Sequence, residues 1–130
     1  MATWQEVQES ARKAFHLDVD KADEFAVTVQ RTDLSEPRAQ RVMVRRYTAW
    51  SVDMVEFRSA FGEIGSDDGR ALLADSLKLP MGSIALHGRF LVVVHKVPLE
   101  HVSVQGILFL LTRIALLADL LEERRGGDRF

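Results

Sequence analysis

The chain has 130 residues, 47% of them apolar and 28% charged, with a formal net charge of −2 and no cysteine. That length and balance suit one globular domain that buries its own core, and they exclude the apolar-poor profile of a disordered chain. The weak negative charge excludes the overall positive field that holds proteins on phosphate backbones, and the lack of thiols excludes disulfides, thiolate metal sites and cysteine nucleophiles.

The opening Met1-Ala2-Thr3-Trp4 has neither the basic start nor the apolar run of an export signal, so a reducing, cytoplasmic setting is expected. Val102 to Leu121 is long enough to span a bilayer but holds Gln105, Arg113 and Asp119. A soluble domain, with no membrane and no nucleic acid among its partners, is the expectation.

Thr3 followed by Glu6 has the spacing of a capping box and predicts a helix ending near His16. Trp4, Val7, Ala11, Ala14 and Phe15 recur on one side of it, with Gln5, Glu6, Glu9, Arg12 and Lys13 on the other. His16, Asp18, Asp20 and Asp23 suggest part of a calcium loop, but Asp23 stands where that loop requires glycine and Ala22 where it requires a ligand. The segment therefore reads as a solvated acidic loop.

From Glu24 the period changes to two, with Phe25, Val27 and Val29 alternating with polar or small residues, which predicts a half-buried strand. Asp33, Ser35 and Pro37 mark a turn, and Val42 and Val44 lie on a second strand reaching Tyr47. The chain turns again around Trp50 to Asp53, and Met54 to Phe61 forms a third strand. Ser66-Asp67-Asp68 caps a helix over Gly69 to Leu79, which Pro80 and Gly82 stop. Ser83 to His87 and Arg89 to Val97 are two strands joined at Gly88, and Pro98 opens a last helix running to about Arg125. Short links favour antiparallel pairing, so the predicted fold is α+β, an antiparallel five-stranded sheet with three helices in the order α-β-β-β-α-β-β-α. Residues 1–123 form the single domain, and 124–130, with Gly126-Gly127, form a flexible tail.

His87 and His95 are expected as a cross-strand surface pair without a third ligand. The chain contains no nucleophile elbow, zinc-protease helix, phosphate loop or dinucleotide turn. No catalytic, cofactor-binding or metal-ligating residue is assigned, and neither an enzyme nor a cofactor is expected. Arg38, Arg41, Arg45 and Arg46 cluster just before Tyr47 and Trp50. Arg41 and Arg45 share a strand face, where they either keep an edge strand soluble or grip a partner's carboxylates beside Tyr47 and Trp50.

Gly88-Arg89-Phe90-Leu91-Val92-Val93-Val94, the step Val97-Pro98-Leu99, and a long helix carrying Val102, Leu110, Ile114 and Leu117 form a pattern in the carboxy-terminal half. This pattern, with the predicted element order, resembles the type III secretion chaperone-like fold, including YbjN-type domains, with Val97 in place of the first leucine of a Leu-Pro-Leu step. The resemblance implies a homodimer that holds an extended segment of a client protein on apolar surface patches. It carries no catalytic residues.

On a helical wheel, Ile107, Leu110, Leu111, Ile114, Leu117, Ala118 and Leu121 of the last helix form a core arc. Gln105, Thr112 and Asp119 form one polar line and Gly106 with Arg113 another, with Val102, Phe109, Leu116 and Leu120 between them as a second apolar stripe. That stripe, bordered by Arg113 and approached closely at Gly106, is the expected dimer or partner interface. The functional expectation is a non-catalytic, chaperone-like or adaptor-like module that, as a homodimer, holds a partner segment through strand edges and apolar pockets. The alternative is a regulatory domain binding a small ligand between helix and sheet.

Overall fold

The computed structural model of the protein describes residues 2–31, 38–66 and 69–125. The expected turn at Asp33, Ser35 and Pro37, the capping residues Asp67 and Asp68, and positions 126–130 of the expected tail lie outside the described residues.

The capping box forms as the spacing requires. Thr3 Oγ1 accepts from the Glu6 amide, and the Thr3 amide donates to Glu6 Oε1, both at 3.2 Å. Helix α1 then runs over Trp4–Ala14 with Trp4, Val7, Gln8 and Ala11 buried. Trp4 packs its ring 5.5 Å from that of Phe25, and its indole N–H donates to the Ala22 carbonyl. Phe15, placed with the core stripe by spacing, is the C-cap and only partly buried.

The expected acidic loop is instead strand β1, Leu17–Asp20, which makes the sheet six-stranded rather than five-stranded. The observed order is α-β-β-β-β-α-β-β-α. Only Leu17 and Val19 alternate with two aspartates, a weak strand signal in a residue type depleted from strands. What holds β1 is tertiary: it pairs with β2, and Asp20 accepts from Gln8 Nε2 at 2.7 Å and from Arg12 Nε and Nη2 at 2.7 and 2.8 Å. The hydrogen bond from Arg12 leads the influences that hold the Asp20 carboxyl below its ordinary pKa.

β2 (Glu24–Arg31), β3 (Arg38–Ala49) and β4 (Val52–Glu63) follow as a meander. Helix α2 (Gly69–Leu77) precedes β5 (Ser83–His87) and β6 (Phe90–Pro98). The sheet order is β1-β2-β3-β4-β6-β5, and every described pairing is antiparallel. α2 buries none of its residues; it lies along β5, where Ser76 Oγ accepts from the Ile84 amide at 2.9 Å. Gly82, at φ +71°, admits no side chain, since a Cβ there would sit 2.8 Å from the Val94 carbonyl oxygen.

Pro98 ends β6 but does not open the last helix. A 3₁₀ turn, Leu99–His101, comes first, and α3 starts at Val104 because Ser103 is the better cap, its Oγ accepting from the Gly106 amide at 2.9 Å. α3 (Val104–Arg124) lays Ile107, Leu111, Ile114, Ala115, Ala118 and Leu121 on Phe25, Val27, Val42, Val44, Val55, Phe57, Phe61, Leu91 and Val93 of the sheet. By length and composition α3 could cross a membrane, yet this arc is the centre of the core. Arg124 and Arg125, expected in the tail, end the helix, and Arg125 Nη2 donates to the Glu63 carbonyl.

Asp119, expected on an exposed polar line, is buried. Its carboxylate accepts from Arg31 Nη1 at 3.0 Å and Arg38 Nε at 2.8 Å, and Arg38 Nη2 also reaches the buried Glu122 at 3.1 Å. The wheel fails here because the ends of β2 and β3 bring two cations under the polar line, and a paired carboxylate can be buried where a lone one cannot. Asp119→Ala leaves those arginines undercompensated and is expected to cost about 3–5 kcal/mol in denaturant unfolding; an unchanged midpoint would show that the ion pairs do not hold α3 to the sheet.

Candidate functional site

α1 and α3 pack on the sheet face that carries Phe25, Val44, Phe57 and Leu91. Strand alternation sends every second residue to the other face, which no described helix covers. One row across that open face reads Glu24, Arg45, Glu56 and Lys96 on β2, β3, β4 and β6. The next row reads Ala26, Met43, Arg58, Val94 and Ser83.

Glu56 is the electrostatic centre of the face, only 5% exposed. Arg45 Nε donates to its Oε2 at 3.0 Å, with Arg58 Nε at 3.7 Å and Lys96 Nζ at 3.9 Å. Burial is the largest single influence on Glu56 and opposes ionisation, but the Arg45 hydrogen bond with the charges of Arg45, Arg58 and Lys96 outweighs it and holds the carboxyl below its ordinary pKa. Three cations gather around one carboxylate, so the region keeps a positive surplus on a chain of net charge −2.

Arg41, Arg45 and Tyr47 all lie on this face. β3 is an interior strand, so keeping an edge soluble is not their role. Arg45 is committed to Glu56 and stacks 4.5 Å above the Tyr47 ring. Arg41 is half exposed, its nearest carboxylate being Asp18 at 4.0 Å. Trp50 stands apart from them at the tip of the β3–β4 hairpin, 99% exposed. The hairpin closes in two residues between the paired Ala49 and Val52, with Trp50 at φ 50° and Ser51 at φ 62°. Positive φ at both loop positions is the geometry that Asn-Gly adopts without strain and that other residues adopt at a cost.

The α3 stripe is divided. Val102 precedes the helix, in extended conformation, and its carbonyl accepts from the Ala2 amide, so it belongs to the packing beneath α1. Phe109 and Leu120 are 52% and 42% exposed, while Leu116 is half-buried. Arg113 lies 5.0 Å over the Phe109 ring. Gly106 serves the helix cap, and a Cβ there would meet Ser103 Oγ at 3.2 Å. Leu73 and Leu77 of α2 are a second exposed apolar pair.

Between α3 and the β2–β3 strands runs a cleft of about 530 Å³, walled by Val29, Ala115, Leu116 and Leu120. Its charged groups, Arg31, Arg38 and Asp119, are engaged with one another. Gln40 adds an amide whose Nε2 donates to Ser59 Oγ and the Ala60 carbonyl, leaving its buried Oε1 without a partner. The charged groups are turned inward to hold helix and sheet. His87 and His95 do not pair with each other: His87 is opposite Phe90 and His95 opposite Phe57, where burial lowers the pKa of His95. Among the described residues no group of three or more metal-ligating side chains gathers.

Glu56 and Arg58 were not singled out in the sequence, although the alternation Met54, Glu56, Arg58, Ala60 assigns them a common face on β4. No protein-family model matches the chain, and no curated protein matches it either.

The lowered Glu56 pKa has a definite sign. Its stabilisation is complete above the ordinary value of 4.5 and is lost as pH falls through the lower folded value. The difference in unfolding midpoint between wild type and Glu56→Gln is expected to be constant above about pH 5 and to shrink on acidification below it; a gap independent of pH would contradict the pairing. Replacing Trp50-Ser51 by Asn-Gly is expected to stabilise the protein by about 1 kcal/mol or more by relieving the turn, measured as a raised denaturant midpoint.

Proposed function

We propose that this chain is a non-catalytic protein-binding module, chaperone-like or adaptor-like, that acts as a homodimer and holds an extended segment of a partner protein. The observation that carries the reading is the one-sided sheet. Six strands have their helices on one face, and the other offers Met43, Tyr47, Met54, Phe90 and Val94 among arginines. A segment crossing that face would meet apolar contacts and charge-assisted donors together. The Val97-Pro98-Leu99 step, similar to the Leu-Pro-Leu step of type III secretion chaperone-like and YbjN-type domains, supports the same reading, while strand β1 departs from the element order on which that resemblance was drawn.

Addition of a partner strand to an edge is the less favoured route. β1 is four residues long, carries two aspartates and is bulged, while the β5 edge is engaged at Ile84 by Ser76. Trp50 is the natural anchor for a partner at the rim of the open face, since exposed tryptophan in a strained turn lowers stability unless contact recovers it. The reading as a small-ligand domain is weaker because the charged groups of the α3 cleft, Arg31, Arg38 and Asp119, are engaged with one another.

The dimer seam is assigned to Phe109, Leu116 and Leu120 with Arg113 at its border. Phe109→Arg is expected to give a folded protein of about half the wild-type solution mass, because the new charge is hydrated in a monomer and buried without a partner in a dimer. Light scattering with circular dichroism decides it. A monomeric wild type removes the dimer, and a mutant that stays dimeric moves the seam elsewhere, Leu73 and Leu77 being the other exposed apolar pair.

A further inference from the structure

The open face is not uniform. Toward the β5–β6 end it sinks into a hollow of about 400 Å³ whose rim carries Arg41, Arg58 and His87 and whose floor is formed by Met43, Phe90 and Val92. No carboxylate lines it. We propose that this hollow is an acidic-residue pocket, taking the carboxylate of an aspartate or glutamate together with a neighbouring aromatic or aliphatic side chain from an extended partner segment. The proposal rests on the reading of the open face as a partner surface and names what that face selects.

The chemistry of the rim argues for a carboxylate. Arg58 Nη1 lies 2.9 Å from His87 Nδ1, and since arginine only donates, this contact makes Nδ1 the acceptor and leaves Nε2 as the ring's donor. The contact steadies the Arg58 side chain, only 24% exposed, and leaves the Nε2–H of His87 as its one donor. Arg41, half exposed and with its closest carboxylate at 4.0 Å, is the less engaged of the two rim arginines. Two guanidinium groups and an imidazole N–H over a floor that includes the buried Val92 give a carboxylate charge-assisted hydrogen bonds at the margin of an apolar surface, where water screens them less. Phe90 and Met43 provide the contact for an adjoining side chain.

A continuous polyphosphate fits less well. Asp18 lies beside Arg41, and Glu56 lies 3.7 Å from Arg58, so a chain of phosphates running across the face would meet anions on leaving the hollow. A single carboxylate reaching in from above meets only the cations. The charge on the face thus selects one acidic side chain at this position rather than a uniformly anionic polymer.

The test is a titration of the isotope-labelled protein, followed by amide chemical shifts, with a blocked five-residue peptide that has phenylalanine between pairs of glutamates. Its glutamine counterpart, inorganic phosphate and oligothymidylate serve as comparisons. Shifts on β3, β4 and β6 around the hollow are expected, with the glutamine peptide about tenfold weaker or more. Arg41→Gln and Arg58→Gln are each expected to weaken the glutamate peptide about five- to tenfold; Arg41 is exposed, so its variant serves if Arg58→Gln unfolds. Equal binding of both peptides, tighter binding of oligothymidylate, or complete displacement by millimolar phosphate, which would mark an adventitious anion site, each overturns the proposal. Open-face shifts that neither arginine variant weakens would overturn the pocket and leave the surface standing. Absence of any open-face shift with either peptide would overturn both.

Discussion

Asp119 and Glu122 place two carboxylates on the same side of α3 as Ala115 and Ala118, and the fold depends on how that conflict is resolved. An apolar arc alone could settle on the sheet in several registers, since burial is non-directional. The buried carboxylates remove that freedom, because they are tolerable only where Arg31 and Arg38, at the facing ends of β2 and β3, meet them at 2.8 to 3.1 Å. The ion pairs thus set where α3 lies, while the arc of Ile107, Leu111, Ile114 and Ala118 supplies most of the burial.

With α3 and α1 committed to one face, the other face is left to side chains alone. Its stability comes from lateral pairing instead of a covering layer. Arg45, Arg58 and Lys96 surround Glu56, Arg45 stacks on Tyr47, and the small Ala26 and branched Val92 are buried by their longer neighbours. Such a face stays soluble while keeping apolar contacts within reach of a partner. The same lateral logic separates Arg45, spent on Glu56, from Arg41, which the fold leaves half exposed.

Exposure in this protein is concentrated where local energetics are unfavourable. Trp50 combines near-complete exposure with a positive φ, and Leu73 and Leu77 lie on a helix with no fully buried residue. Departures from the best-folding choice at exposed positions are the ordinary mark of surfaces kept for contact. They fall at the hairpin tip and on α2, away from the ion pairs that secure the core.

Local chemistry alone determined a good deal. The Thr3–Glu6 box starts α1, period two marks β2 and β3, Gly88 turns the last hairpin, and the Ile107 to Leu121 arc belongs to the core, because each depends on neighbours within a few residues. Arg41, Arg45 and Tyr47 were also legible as one strand face. The tertiary structure decided what depends on partners distant in the chain. β1 exists because Gln8 and Arg12 hold Asp20. Asp119 is buried because Arg31 and Arg38 reach it across more than 80 positions. The hollow assembles because β6 lies between β4 and β5, so that Arg58 and His87 meet across its residues Phe90 and Val92. Spacing along the chain assigns a residue to a face; only the pairing of strands decides what stands beside it.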